Sequence, residues 1–113
     1  MTYRVVLLRR AANDVDRIAA WIAERSVPGA ASWIIAYEAA VQRLVENPTG
    51  YALADDLDLS IDLKVRQFLF KTRRGSTYRG VFVVVDDEVR VLRICGPGEP
   101  PLTADEVGLS KNS

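Results

Sequence analysis

The chain has 113 residues, 15 basic and 15 acidic side chains, no histidine and one cysteine. These counts exclude Ser-His-Asp and Cys-His catalysis, an imidazole-based zinc site, an internal disulfide and a thiolate metal cluster. With 49 % hydrophobic and 27 % charged residues, the sequence reads as one soluble domain able to bury roughly two-thirds of its unfolded surface.

In chain order, residues 3–8 (YRVVLL) are β-branched and aliphatic and predict a short strand. A helix is predicted over 11–26, with Val15, Ile18, Ala19 and Ile22 at helical spacing. Asn13, Asp14 and Asp16 would sit in its first turns, where acids favour a helix N-terminus. Pro28-Gly29 is expected to break it. A second helix is predicted over 30–46, with Ile34, Tyr37, Val41 and Leu44 on one stripe and Asn47-Pro48 as its stop. The pair reads as an αα-hairpin. Residues 49–62 are acidic and read as a loop. VRQFLFK, TYRGVFVVV and EVRVLRIC then predict three antiparallel strands, with turns at Arg73-Arg74-Gly75-Ser76 and Asp86-Asp87.

The expected fold is therefore α+β in the order β-α-α-β-β-β. The helical hairpin lies on one face of a small antiparallel sheet, and the first strand is at an edge or inserted. Residues 1–96 form the domain. Residues 97–113 are expected as a Gly/Pro-led tail, poorly ordered at its end. The apolar run Val81–Val85 suits both faces of a sheet although the helices cover only one. Either a partner protein covers the other face, or strand curvature and the tail bury it.

The zero net charge hides segregation. Residues 1–10 carry +3, residues 11–47 carry −2, residues 55–62 carry −4, residues 64–93 carry +5 and the rest −2. Arg66, Lys71, Arg73, Arg74 and Arg79 fall on adjacent predicted strands and their turn, with Tyr78 beside Arg79. Arginine forks bind phosphate, and a phenol can stack on a base. Such a group could hold RNA or DNA, or stabilise a scissile phosphate without histidine. The plainer reading is a solvated basic face or the seat of an acidic partner segment. Asp55-Asp56-x-Asp58 lacks the glycine and distal glutamate of a calcium loop and reads as solvated. Trp21 and Trp33 read as packing or interface residues, and Cys95 as a small buried hydrophobe. No metal or cofactor is expected. The apolar run Val5–Leu8 is too short for a signal-peptide core, no stretch reaches the ~20 apolar residues of a membrane span, and the expected location is the cytoplasm.

Several phrases in order carry a family resemblance: a strand, then Ala12-Asn13-Asp14-Val15-Asp16-Arg17-Ile18-x-x-Trp21-Ile22; Ala31 through Ile35 with Val41, Leu44 and Pro48; Val65-Arg66-Gln67-Phe68-Leu69-Phe70; Tyr78-Arg79-Gly80-Val81-Phe82; and Val89-x-Val91-Leu92-Arg93-Ile94. Together they resemble the RelE/ParE superfamily of bacterial type II toxin–antitoxin toxins over roughly residues 3–96. The resemblance implies a toxin neutralised by a cognate antitoxin. It implies one of two targets: DNA gyrase for a ParE-like member that stabilises a plasmid, or mRNA in the ribosome for a RelE-like endoribonuclease. A third possibility is an inactive member that keeps only antitoxin binding. If the chain is a ribonuclease, the resemblance points to Arg79 with Lys71, Arg73 and Arg74. For antitoxin or target binding it points to Arg66, Tyr78, Arg79, Val83 and Arg93. Ribonuclease members carry basic residues and tyrosine after the last strand. Here that stretch reads Cys95-Gly96-Pro97-Gly98-Glu99-Pro100-Pro101, so the resemblance leans to the ParE-like side.

Overall fold

The computed structural model describes residues 2–54 and 64–97. Its elements are β1 (Arg4–Leu7), α1 (Arg9–Ala23), α2 (Val27–Arg43), a 3₁₀ turn (Pro48–Gly50), β2 (Arg66–Phe70), β3 (Tyr78–Val85) and β4 (Glu88–Cys95). This is the expected β-α-α-β-β-β order. The acidic run from Asp55 to Asp62 and the tail beyond Pro97 lie outside the described residues.

Both helices start earlier than their apolar spacing predicts. α1 begins at Arg9, so Asp14 falls beyond its first turn and lies on the buried stripe with Ala11 and Ile18. Pro28-Gly29 does not break a helix; it opens one. The Ser26 hydroxyl accepts the Gly29 N–H at 3.0 Å, capping α2, and Pro28 occupies the first turn, where a missing N–H costs nothing.

The strands form one sheet in the order β1-β4-β3-β2. β2, β3 and β4 are antiparallel neighbours as expected, and β1 takes the edge beside β4. It pairs in parallel, so the sheet is mixed rather than wholly antiparallel. The helical hairpin is part of the long crossover that parallel neighbours require. The β3–β4 turn is closed by Asp86 at φ 57°, a left-handed conformation that aspartate tolerates better than most residues. Gly80 sits opposite Phe68, and a Cβ there would lie 2.2 Å from the ring. Glycine is thus what lets Phe68 fill the core.

Apolar side chains pack on both faces of the sheet. Under the helices, Trp33, Tyr37, Leu44, Phe68, Phe70 and Phe82 form an aromatic-rich core with Val89, Val91 and Ile94. On the opposite face Val81 and Val83 join Ala54, Val65, Leu92 and Cys95. Val81, Phe82 and Val83 are 0 %, 0 % and 3 % exposed. The folded chain itself therefore buries the second face at Val81 and Val83, and no partner is needed to do so. Among the described residues no helix is long and apolar enough to cross a membrane.

Candidate functional site

The six expected basic positions separate into two groups once their partners are known. Arg66, Arg79 and Arg93 are built into the framework. Arg66 donates to the Tyr51 carbonyl at 2.7 Å, and Arg79 donates to Gln67 Oε1 at 3.2 Å. Arg93 grips Asp14 with Nε at 2.7 Å and Nη2 at 3.0 Å. Lys71, Arg73 and Arg74 are exposed on the turn between β2 and β3. Strand alternation separates the framework arginines further. Arg66 has the parity of Phe68 and Phe70, toward the helices, and Arg79 that of Val81 and Val83, away from them. The structure therefore does not gather Arg66 and Arg79 on one face.

The Asp14 contact is the feature least foreshadowed by local sequence. Its carboxylate accepts both Arg93 bonds and also the Ile94 backbone N–H at 2.9 Å, while Arg17 approaches at 3.6 Å. The reason is topological. β1 ends at Leu7, opposite Val91, so the rest of β4 has no strand on that side. Asp14 supplies the acceptor that a longer β1 would have supplied. It does not serve the helix N-terminus, as its place in the sequence suggests. The available signal was a charged residue on the Ala11–Ile18 stripe, since a buried carboxylate requires a partner. Nothing local identified Arg93 as that partner.

Two depressions flank β3. One, of about 250 Å³, is lined by Arg17, Ile18, Trp21, Tyr78, Gly96 and Pro97. Tyr78 pairs with Phe70, so the basic turn springs from the floor of this groove. Trp21 is exposed, with the Arg25 guanidinium 3.8 Å from its ring centroid. The other depression, about 530 Å³, lies at the far end of β3 and includes Tyr3, Lys64, Arg66, Val83 and Asp86. Of the residues expected to bind a partner, Tyr78 lines the first depression and Arg66 and Val83 the second, while Arg79 and Arg93 are in the lining of neither. Cys95 is buried beside Val81 and registers with Arg79 across the sheet, as a small hydrophobe would.

At the β1 edge the Glu88 carboxylate is held below the usual carboxylate range by hydrogen bonds from Arg90 and Arg4, at 2.7 and 2.6 Å. Burial pushes the Tyr37 phenol up to about 12. Neither group has the environment of a catalytic acid or base poised near neutrality. Among the described residues no group of three or more His, Cys, Asp or Glu could hold a metal ion. The described surface presents a basic turn, an aromatic-walled groove and a second depression lined in part by Lys64, Arg66 and Asp86.

A family model described as the ParE toxin of the type II toxin–antitoxin system parDE matches residues 5–96. The chain belongs to the ParE toxin family. Among solved structures it is similar to the free state of an E. coli RelE toxin mutant carrying two arginine-to-alanine changes. The identity is 16 % and the TM-score 0.53, over 95 % of this chain and 90 % of that one. At that identity the likeness is one of fold, and it places the ParE-family chain in the RelE-like architecture. No curated protein matches. Membership makes this ParE-family protein the toxin half of a pair and implies a cognate antitoxin as its partner.

Proposed function

We propose that this ParE-family toxin acts by binding rather than by cutting. In this reading it inhibits DNA gyrase in the cytoplasm, arrests growth when unopposed, contributes to plasmid stabilisation and is silenced by its antitoxin. The observation that carries the reading is the surroundings of Arg79. This arginine is bonded to Gln67, and its cross-strand partner is the buried Cys95. Tyr78 has the opposite strand parity. Beyond Arg93, residues 94–113 contain Lys111 but no arginine or tyrosine. A ribonuclease site without a positioned proton-transfer group forgoes about 10²–10⁴-fold in rate. A chain with net charge +0 is also poorly suited to ribosomal RNA, whose affinity for proteins rests on phosphate neutralisation. Antitoxin side chains would seat in the two depressions, against Tyr78 and Trp21 at one and Lys64 and Arg66 at the other.

One observation favours the RelE-like alternative: Lys71, Arg73 and Arg74 are exposed on the turn that leads into Arg79. The chain should be expressed with and without its antitoxin, then assayed for gyrase supercoiling and for mRNA cuts in translating ribosomes. The expected result is loss of supercoiling, no cuts, and relief of both growth arrest and gyrase inhibition by the antitoxin. Ribosome-dependent cuts abolished by Arg79→Ala would replace gyrase with mRNA as the target. Growth unaffected by the unopposed chain would leave a member that retains antitoxin binding alone.

A further inference from the structure

Most described arginines have a partner within the fold. Arg4 and Arg90 bind Glu88, Arg93 binds Asp14, and Arg66 and Arg79 bind the Tyr51 carbonyl and Gln67. The turn between β2 and β3 is different. Lys71, Arg73 and Arg74 are exposed there, and their side chains make no ion pair among the described residues. No acidic residue occurs between Lys64 and Val85, so no carboxylate along these strands neutralises them. The turn also has a defined shape. The Gly75 N–H donates to the Thr72 carbonyl at 3.1 Å, which puts Arg73 and Arg74 at the two central positions of a four-residue turn. Gly75 fits because it has no Cβ: one would stand 2.2 Å from the Thr72 hydroxyl. The two arginines therefore leave adjacent positions of one fixed corner.

We infer that this turn binds the phosphate backbone of duplex DNA without cleaving it. The choice of duplex DNA rests on the gyrase reading, which it deepens: the toxin's target becomes the enzyme together with the DNA it holds. Three features of the turn select that occupant. The first is charge, since guanidinium forks match phosphate oxygens. The second is what the turn lacks. Residues Lys71–Thr77 contain no aliphatic or aromatic side chain. A protein partner needs such an anchor at the centre of its interface. A phosphate needs only cations and small donors, and Thr72, Ser76 and Thr77 add hydroxyls beside the three cations. The third is the state of Tyr78. Single strands are held by bases stacked on aromatic side chains. Tyr78, which follows the turn, is already stacked on Phe70 at 5.8 Å and set against Trp33 at 5.4 Å. The base-stacking role that the sequence allows for it is taken by the core. With a net charge of +0 over the whole chain, only this local charge is available, so the binding is weak and steep in salt.

The antitoxin-free chain should be titrated, without gyrase, into a labelled duplex DNA of arbitrary sequence and followed by fluorescence anisotropy. Three neutralised phosphates predict affinity that falls about 40-fold between 50 and 200 mM salt. Arg73→Ala with Arg74→Ala should leave one contact, reducing that fall to about 3- to 4-fold. The double variant should keep the wild-type melting temperature, because both side chains are exposed. Arg43→Ala, which alters an exposed arginine at the end of α2, should bind like the wild-type chain. Single-stranded RNA of equal length should bind less tightly than the duplex. A wild-type chain that binds no duplex at 50 mM salt overturns the inference. So does a double variant with undiminished binding, or a preference for the single strand. If the double variant loses antitoxin capture but keeps duplex binding, the turn belongs to the antitoxin and the inference is likewise overturned. The gyrase reading fails differently: the chain then binds duplex DNA through the turn yet leaves supercoiling untouched, and the DNA contact stands. A chain that inhibits supercoiling but binds no duplex keeps that reading and loses the inference.

Discussion

The two helices of the hairpin are attached to the same sheet by different chemistry. α1 packs a narrow apolar stripe, Ala11, Val15, Ile18 and Ile22, against the core and adds an ionic contact, Asp14 to Arg93 and to the Ile94 N–H. α2 is pinned by an aromatic wedge. Trp33 stacks on Tyr37 with centroids 5.8 Å apart and meets Phe70 and Tyr78 at 5.6 and 5.4 Å. The Trp33 Nε1–H finds no acceptor among the described residues, so this wedge holds through packing, and against the cost of one unmade hydrogen bond. Each helix can therefore be altered in a different place. α1 tolerates change on its outer side but depends on one carboxylate. α2 depends on its inner rings.

Breaking the wedge should have the largest effect. Trp33→Ala removes a side chain that is 2 % exposed and should lower unfolding free energy by about 4 kcal/mol in a urea titration. Trp33→Phe, which also removes the orphaned N–H, should cost well under half of that. Breaking the ionic pin should come next. Asp14→Ala strands Arg93 and the Ile94 N–H and should cost about 3 kcal/mol. Replacing both partners, Asp14→Leu with Arg93→Met, should recover most of the loss, because it removes the charge left unpaired. If the double variant is no better than the single, the pin is not an isolated pair and the contrast between the helices is wrong.

The smallest expected effect is one of pH. Tyr37 beside Trp33 is raised from 10.0 to about 12, burial being the main cause and Glu38 adding to it. The neutral phenol is therefore the form the fold prefers. Its contribution is complete below pH 10 and is lost as pH climbs toward 12, where the unfolded chain has already ionised. The wild-type chain should lose stability across that window. Tyr37→Phe should lose less, measured as melting temperature against pH. An identical decline in both proteins would remove Tyr37 from the account.

Much of the fold was legible from residues alone. β-branched runs marked β1, β3 and β4, aromatic residues marked β2, and Asp86-Asp87 marked the last turn. The start of α2 falls earlier than expected because capping outranks apolar spacing. Ser26 with Pro28 is an N-terminal signal, and reading Pro28-Gly29 as a breaker placed α2 too late. The candidate site was less legible. Arg66, Tyr78, Arg79 and Arg93 look like neighbours in the sequence, but the pleat sends alternate residues to opposite faces. Arg93 is claimed by a carboxylate 79 positions away. Such a pairing leaves no local trace beyond a charge on a buried stripe.

By itself the sequence determined the class of fold, the order of its elements and the exclusion of histidine-based and disulfide chemistry, because periodicity and residue counts are local properties. Its ordered phrases also pointed to the toxin superfamily. Long-range packing settles which arginines are structural, buries Val81 and Val83 within the chain, and leaves Val27, Ala31, Ile35 and Ala39 facing solvent. Those outcomes depend on which surfaces the sheet and the hairpin bury in each other, and burial is a property of the whole fold rather than of any one segment.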